Sequence, residues 1–289
     1  MQNPGSNRYE RETSMQPIQI MVNGMPGNMA MRVAAAARND IRFNVLPVSL
    51  TGPEIEAAEV EVADMTVQLF QPRRRPEAIA GIDASNGPLI AVDFTHPTAV
   101  HENAAFYCER QIPFVMGTTG GNRDQLAEMV ENAQNTAVIA PNMAKPVVAF
   151  QEMVAHAAAS FPMIFQDYRL TVVESHQQGK ADTSGTAKAV VGGFNKMGID
   201  FGVDEITQIR DPEAQQKVGI PEKYLDGHGW HTYTLTSPGR TVKLQFTHNI
   251  NGRRVYMSGV LDAVEYLHTK TVSGASGKVF DMMDVLKGN

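Results

Sequence analysis

Ile18-Gln19-Ile20-Met21-Val22 continues into Asn23-Gly24-Met25-Pro26-Gly27-Asn28-Met29-Ala30, and this stretch decides the fold class. The apolar run predicts a buried strand, and the alanine-rich residues after Met29 predict a helix. Gly24 and Gly27 stand in the turn between them, where glycine permits unusual backbone angles and a close approach to a pyrophosphate. The turn is an incomplete G-x-G-x-x-G pattern with Ala30 at the close-packing position, and it predicts a dinucleotide-binding turn.

The segments that follow alternate between strand and helix patterns. Strands are predicted over 18–22, 42–48, 90–94, 114–116 and 137–140, and helices over 29–37, 99–109 and 123–135. This alternation predicts an α/β fold with a Rossmann-like, doubly wound parallel sheet. Residues 49–88 lack a regular pattern, and the cluster Pro72-Arg73-Arg74-Arg75-Pro76 is interpreted as a solvated loop.

The second half of the chain has a different pattern. Helices are predicted over 147–160, 186–197 and 255–269, and strands over 168–174, 205–210, 231–236 and 241–249. This predicts a second, α+β domain with a mixed sheet. We therefore expect a flexible tail over 1–16, a dinucleotide-binding domain over 17–146, a substrate-binding and oligomerisation domain over 147–254, and a C-terminal segment over 255–289 that returns to the first domain.

Composition excludes several classes of protein. The 289 residues include 25 basic and 31 acidic side chains, and the formal charge of −6 argues against binding to nucleic acid or to an anionic membrane. A single cysteine, Cys108, excludes an intramolecular disulfide framework and suits a reducing compartment. The sequence shows no membrane span and no secretion signal, so we expect a soluble protein of the cytoplasm, or of the plastid stroma if a transit peptide was removed.

Residues 174–186, with the sequence ESHQQGKADTSGT, predict a strand, a polar loop and the start of a helix. The first amides of that helix lack intrahelical partners, so Ser184, Gly185 and Thr186 can hold an anion beside the ammonium of Lys180. His176, with an ordinary pKa of about 6.5, can supply or relay a proton. Lys180 precedes Gly185, so the loop is not a Walker phosphate loop.

Other polar residues receive weaker assignments. His228 and His231 are interpreted as hydrogen-bonded structural residues at the start of a strand, and Arg253 could clamp a carboxylate or join the two domains. No cluster of His, Cys, Asp or Glu shows the spacing of metal ligands, so no metal site is predicted.

The predicted second strand ends at Val48-Ser49-Leu50-Thr51-Gly52 without a carboxylate that could bind the ribose 2′-hydroxyl of NADH. We therefore expect NADPH to be preferred, with NADH possible, and Ser49 and Thr51 to donate to a 2′-phosphate. Three further loops follow strands and should also line the nucleotide. Their candidate residues are Phe94 and Thr95, then Gly117, Thr118 and Thr119, and then Pro141, Asn142 and Met143.

Several motifs together resemble one known family. They are Val22-Asn23-Gly24 through Met29, Asp93-Phe94-Thr95, Val115 through Gly120, Pro141-Asn142-Met143, Glu174-Ser175-His176 through Lys180, Asp182 through Ala187, and Phe280 through Leu286. Their order and spacing are similar to those of the 4-hydroxy-tetrahydrodipicolinate reductase (dihydrodipicolinate reductase) family of lysine and diaminopimelate biosynthesis. The chain resembles the plant type, notably at His248-Asn249 and Thr234 through Pro238. The resemblance extends from Ile18 to the C-terminus.

The resemblance implies a reduction of the cyclic imine derived from 4-hydroxy-tetrahydrodipicolinate, with loss of water and hydride transfer from a nicotinamide. It implies His176 and Lys180 as catalytic residues, without deciding which is the acid. It implies that Gln177, Ser184, Gly185, Thr186 and Arg253 bind the dicarboxylate substrate. Gln177 stands where commoner bacterial members have a histidine-rich run, so it brings a hydrogen bond without charge.

The resemblance also implies a homo-oligomer, and we favour a homodimer through the sheet of the second domain, with a tetramer as the other possibility. Two other functions remain open from the sequence. One is another two-domain NADP-dependent dehydrogenase of aspartate-derived metabolites, such as homoserine or aspartate dehydrogenase. The other is a nucleotide-sensing module that has lost turnover.

Overall fold

A computed structural model describes residues 16–82 and 87–288. The chain divides into two compact units. The first contains the described residues up to Ile139 together with Ala263–Phe280, and the second contains Ala140–Asp262 and the described residues from Asp281 onward. Apart from Gln16, the predicted N-terminal tail lies outside the described residues.

A six-stranded parallel sheet forms the centre of the first unit, in the order β13-β8-β7-β6-β1-β2. Its strands are β1 (Ile18–Asn23), β2 (Phe43–Val45), β6 (Ile90–Asp93), β7 (Phe114–Met116), β8 (Thr136–Ile139) and β13 (Lys278–Phe280). The helices of this unit are α1 (Asn28–Arg38), α2 (Arg75–Ile79), α3 (Val100–Glu109) and α4 (Arg123–Asn132). The predicted Rossmann-like sheet is confirmed.

Burial explains why the sequence pattern identified this sheet. All six residues of β1 are buried, as expected of a central parallel strand covered on both faces. Helix α1 buries Ala30, Val33, Ala34 and Ala37, a stripe at helical spacing. The chain passes from β1 to β2 on one side and later to β6 on the other. The carboxyl ends of β1 and β6 therefore form the topological switch point, where ligands of open α/β sheets bind.

The structure corrects the prediction for residues 42–88. The single strand expected over 42–48 is two strands, because Pro47 lacks the N–H that a continuous ladder needs. Beyond it, β3 (Val48–Leu50) joins β4 (Glu59–Val62) and β5 (Met65–Phe70) in a separate sheet of order β3-β5-β4. The arginine cluster is also not a plain loop, since Pro72–Arg74 is a 3-10 helix and α2 follows directly.

A four-stranded mixed sheet of order β10-β9-β11-β12 forms the second unit, as predicted. Its strands are β9 (Arg169–His176), β10 (Thr207–Ile209), β11 (His228–Thr236) and β12 (Lys243–Asn251). β9 is parallel to β10 and antiparallel to β11, which is antiparallel to β12. The helices are α5 (Lys145–Ser160), α6 (Gly185–Lys196), α7 (Pro212–Lys217) and α9 (Met282–Lys287).

The core of the second unit follows from strand alternation. β9 and β11 bury alternate residues, including Leu170, Val172, Tyr233 and Leu235, against apolar side chains of α5 and α6. Helix α8 (Val255–Val272) begins in the residues of the second unit and ends in those of the first. Among the described residues, no helix has both the length and the apolar character of a membrane span.

Candidate active site

The turn after β1 requires glycine at two positions. Gly24 has a φ of +106°, and a Cβ there would lie 2.3 Å from the carbonyl oxygen of Phe94. A Cβ at Gly27 would lie 2.6 Å from the carbonyl oxygen of Gly24, whose own carbonyl accepts a hydrogen bond from the Gly27 amide. The backbone therefore packs too closely for any side chain, and the turn brings β1 against the loop after β6.

Helix α1 begins directly after this turn with an open N-terminus. Gly27 is its N-cap and offers no side-chain acceptor, and the Met25–Pro26 peptide bond before it is cis. Within residues 16–82 and 87–288, no protein acceptor meets the amides of Asn28 and Met29. Free amides at the positive end of a helix are donors suited to a phosphate, so the predicted nucleotide residues of this turn lie together at a possible anion site.

Ser49 and Thr51 do not face outward as predicted. Both are buried, and the Met25 amide donates to the Ser49 hydroxyl at 3.3 Å while the Thr51 hydroxyl donates to the Met25 carbonyl at 2.7 Å. β3 thus supports the glycine turn from inside the protein. Both hydroxyls are therefore engaged by the protein itself, which argues against the prediction that they donate to a 2′-phosphate.

Asp93, at the end of β6, joins the loops around this site. Its carboxylate is fully buried and accepts five hydrogen bonds, which come from the Thr95 amide and from the side chains of Thr95, Asn103, Tyr107 and Thr118. Asn23 extends the network by donating to the Tyr107 hydroxyl at 2.8 Å. The sequence analysis named Asp93 only within a motif, because its partners on α3 are not recognisable from the strand pattern.

The other predicted nucleotide residues of the first unit surround this network. Phe94 packs on Gly117, where a Cβ would lie 2.2 Å from the Phe94 ring. Thr118 is buried against Asp93, whereas Thr119 is exposed. The structure therefore brings Phe94, Thr95, Gly117 and Thr118 to one edge of the parallel sheet.

In the second unit, Glu174 fixes the polar loop between β9 and α6. It is fully buried, and its Oε1 accepts from the guanidinium of Arg210 while its Oε2 accepts from the Ser184 amide at 3.1 Å. Arg210 also donates to the carbonyl of Lys180 at 2.9 Å. Burial alone would raise the pKa of Glu174, but the adjacent His231, Arg210 and Ser184 amide lower it to about 2, so it is a carboxylate. Sequence reasoning missed Arg210 as a partner of the loop.

His176 ends β9 with a defined orientation. Its Nδ1 lies 3.1 Å from the carbonyl oxygen of His228, so Nδ1 carries a hydrogen and donates it. Its Nε2 lies 3.3 Å from Nε2 of His231. Burial is the main cause that lowers the pKa of His176 to about 3; His231, Arg210 and Lys180 act in the same direction, and Glu174 opposes them. The expectation of an ordinary pKa near 6.5 is therefore wrong, and the resting imidazole is neutral.

Lys180 remains the cation of the loop. Its Nζ lies 2.6 Å from Oδ1 of Asp182, whose side chain is 75% exposed. Gln177 is half-buried, and its carbonyl accepts from the Lys180 amide at 3.0 Å.

Helix α6 begins after Ser184 without a side-chain cap. In the part of the chain that the structure describes, no protein acceptor meets the amides of Gly185 and Thr186. These amides follow Lys180 on the same loop, and free amides at a helix N-terminus are donors of the kind that suit an anion.

The remaining predicted site residues all lie in the second unit. Asn142 belongs to the second unit, where its side chain donates to the Thr186 hydroxyl at 3.3 Å. Pro141 is exposed and Met143 is buried. Among the described residues, Arg253 makes no hydrogen bond to the loop or to His176.

Two histidines that the sequence analysis treated as structural lie against His176. The pairing of β9 with β11 places His231 opposite Glu174, and the carbonyl of His228 holds the His176 ring. Glu174, His176 and His231 thus form a group whose ligand-type atoms all lie within 4.8 Å of one another. The argument that no metal-ligand cluster exists is therefore wrong, because strand pairing joins residues that are far apart in sequence.

Comparison with known proteins identifies the family. Residues 18–143 match the family description "Dihydrodipicolinate reductase, N-terminus", and residues 146–286 match "Dihydrodipicolinate reductase, C-terminus".

A rice protein described as "Probable 4-hydroxy-tetrahydrodipicolinate reductase 1, chloroplastic" (Oryza sativa subsp. japonica) is 45% identical over 93% of this chain and 78% of its own length. "4-hydroxy-tetrahydrodipicolinate reductase 1, chloroplastic" of Arabidopsis thaliana is 42% identical over 93% of this chain and 78% of its own length. The solved structure "Dipicolinate bound Dihydrodipicolinate reductase from Paenisporosarcina sp. TG-14" has a TM-score of 0.64 and covers 92% of this chain and 97% of its own. At 18% identity, it supports the fold alone. The chain belongs to the dihydrodipicolinate reductase family.

Proposed function

We propose that this protein is an NAD(P)H-dependent 4-hydroxy-tetrahydrodipicolinate reductase of lysine and diaminopimelate biosynthesis. Loss of water from the substrate gives a cyclic imine, and the addition of a hydride and a proton gives tetrahydrodipicolinate. The observation that carries the proposal is the loop from His176 to Thr186, which joins an ammonium, a hydrogen-bonding imidazole and free helix amides. Plant relatives at 42–45% identity carry this name.

The described residues of the first unit fit a dinucleotide. The free amides of Asn28 and Met29 at the start of α1 would hold a pyrophosphate, and the loops fixed by Asp93 would line the nicotinamide end. A bound reduced nicotinamide would supply the hydride. Residues 43–52, from β2 through the end of β3, contain no carboxylate, which supports a preference for NADPH. A higher kcat/KM with NADH than with NADPH would contradict that preference.

The second unit would hold the substrate. The amides of Gly185 and Thr186 and the charge of Lys180 suit one carboxylate of a dicarboxylate ring, with Ser184 and Gln177 as further hydrogen-bonding partners. Because the pKa of His176 lies near 3, we assign the proton donor to Lys180. The neutral His176 presents the lone pair of Nε2, so its role is to accept a hydrogen bond and orient the donor.

We assign dinucleotide binding to the first unit, and substrate binding and assembly to the second. The descriptions of the rice and Arabidopsis relatives as chloroplastic support a place in the plastid stroma.

A coupled assay tests the function. The full chain is mixed with NADPH and the freshly made condensation product of pyruvate and aspartate semialdehyde, and the absorbance of the reduced nicotinamide is followed. We expect oxidation that depends on the condensation product and is inhibited by pyridine-2,6-dicarboxylate. Oxidation of homoserine or aspartate with NADP⁺, without turnover of the condensation product, would contradict the proposal. Binding of NADPH without any turnover would indicate a nucleotide-sensing module instead.

A further inference from the structure

Three side chains of the second unit lie close together and carry groups of the types that bind metal ions in proteins. Glu174 and His231 are cross-strand partners, and His176 lies two residues after Glu174 on the same face of β9. The side chain of Glu174 is fully buried and that of His231 is 4% exposed. A carboxylate oxygen and two imidazole nitrogens are the ligands that Zn²⁺ and related cations take in proteins.

Two of the three distances between these ligand atoms are close to those of a small tetrahedral ion, and the third is within 4.8 Å. Ligand atoms about 2.0–2.2 Å from a tetrahedral metal lie about 3.3–3.6 Å from each other. Nε2 of His176 and Nε2 of His231 are 3.3 Å apart. Nε2 of His231 lies 3.7 Å from Oε2 of Glu174, so a movement of about 0.1–0.4 Å would bring this distance to that of a tetrahedral site.

Neighbouring groups orient two of the three ligand atoms, those of His176 and Glu174. His176 donates from Nδ1 to the carbonyl of His228, which leaves the lone pair of Nε2 free for a ligand bond. This is the usual arrangement of a metal-binding histidine, whose second nitrogen donates to a carbonyl or carboxylate. Arg210 binds Oε1 of Glu174 and so fixes the carboxylate with Oε2 toward the histidines.

We propose that Glu174, His176 and His231 bind one borderline transition-metal dication, such as Zn²⁺, in the resting protein. The fourth position is left to water. Mg²⁺ and Ca²⁺ are excluded because they prefer oxygen ligands. The positive charges of Arg210 and Lys180 oppose the ion, so binding is reversible.

Occupation of this site would remove the Nε2 lone pair of His176 from the substrate and thereby inhibit the enzyme. This consequence rests on the proposed function, whereas the binding itself does not.

Metal binding is tested directly on the full chain after dialysis against a chelator. Co²⁺ is added without substrate or nucleotide, and the visible absorption of four-coordinate Co²⁺ is titrated. We expect one ion per chain, displacement by one equivalent of Zn²⁺, and no response to Mg²⁺. His231→Gln should weaken Co²⁺ binding by more than about 100-fold, since loss of even an outer partner costs about 10- to 100-fold. The control is His156→Gln, which alters an exposed histidine of α5.

The absence of a four-coordinate Co²⁺ spectrum in the folded parent chain would overturn the proposal. The 3.3 Å contact would then be a hydrogen bond from His231 to His176. Equal Co²⁺ affinity of the parent chain and the His231 variant would also overturn the proposal.

Dicarboxylate inhibitors chelate metals themselves, so they are left out of the titration. A chain that turns over substrate but binds no Co²⁺ contradicts this inference alone, and one that binds Co²⁺ but reduces nothing contradicts the proposed function alone.

Discussion

At the scale of single residues, the environment gives two titratable groups of one loop different tasks. His176 is enclosed between His228 and His231, and its burial favours the neutral ring. Among the described residues, the ammonium of Lys180 has one carboxylate partner, Asp182, whose side chain is 75% exposed, and a pair with such an exposed member is readily exchanged in water. A substrate carboxylate can therefore replace Asp182 as the partner of Lys180. This difference leads us to assign the proton to Lys180.

Replacement of Lys180 by methionine should remove the acid while retaining a chain of similar length. We expect kcat to fall by about 10²- to 10⁴-fold, the range typical of a lost general acid. The KM for NADPH should stay within about two-fold, because the predicted nucleotide residues of the glycine turn belong to the other unit. The measurement is steady-state kinetics in the coupled assay, with both substrates varied.

Lys196→Met, at the last turn of α6, is the matched control and should retain parental rates. His176→Gln can still accept and donate a hydrogen bond, so it should lose less kcat than Lys180→Met. Parental turnover by the Lys180 variant would refute the assignment.

At the scale of elements, the sequence could predict those helices and strands whose buried residues recur at a regular spacing. The buried run of β1 and the alanine stripe of α1 have strand and helix periods, so their bounds were nearly correct. The period fails at Pro47, where one apolar stretch supplies strands to two different sheets. The hairpin of β4 and β5 was missed because its turn, at Ala63 and Asp64, lacks the usual glycine.

Contacts set by strand register could not be predicted from one sequence. Local pattern located the loop of His176 and Lys180, but the pairing of β9 with β11 determines that His231 faces Glu174. A shift of one residue would place His231 on the opposite face of the sheet. The Asp93 network was missed for a related reason, because its donors come from the loops after β6 and β7 and from helix α3.

Replacement of Asp93 by asparagine tests whether this network orders the nucleotide loops. The amide nitrogen would face hydroxyl and amide donors and leave at least one of them unpaired, at a cost of about 1–3 kcal/mol. We expect NADPH binding to weaken by about ten-fold or more and the urea midpoint to fall. Fluorescence titration with NADPH and urea unfolding are the two measurements.

Asp64→Asn is the control, because Asp64 is an exposed residue of the turn between β4 and β5 that pairs, within the described part of the chain, with Arg38 alone. This variant should leave both the affinity for NADPH and the urea midpoint unchanged. If Asp93→Asn binds NADPH like the parent chain, the network has no part in shaping the nucleotide loops.

At the scale of the whole molecule, buried imidazoles make stability depend on pH. Burial, followed by the effect of His231, lowers the pKa of His248 to about 4, and the pKa of His176 is about 3. In the unfolded chain both return to about 6.5. Below that pH the unfolded chain binds protons that the folded chain does not, so the free energy of unfolding falls as the pH falls.

From pH 7 to pH 5 we expect each of these imidazoles to cost about 1–2 kcal/mol. Urea unfolding at pH 7, 6 and 5, with a chelator present, measures the slope. His248→Gln should remove the share of one imidazole, about 1–2 kcal/mol between pH 7 and pH 5, whereas His156→Gln, on the exposed face of α5, should not change the slope. Stability that is constant between pH 7 and pH 5 would show that neither ring is held neutral.

Assembly is the last property that belongs to the whole molecule. β12 spans nine residues at the edge of the four-stranded sheet, and Val242 and Leu244 beside its start are 42% and 37% exposed. A long edge strand with apolar side chains is a template for pairing, so we expect two copies to associate through this sheet. Light scattering with size exclusion should therefore give twice the chain mass of 31.6 kDa.

Leu244→Lys should shift the measured mass toward that of one chain, because a charge on an edge strand opposes pairing. Ile41→Lys, a similar change at a 95% exposed position of the first unit, should not. A parent chain that elutes with the mass of one copy, at the concentration at which it is active, would contradict assembly through β12 and leave the proposed reaction to a single chain.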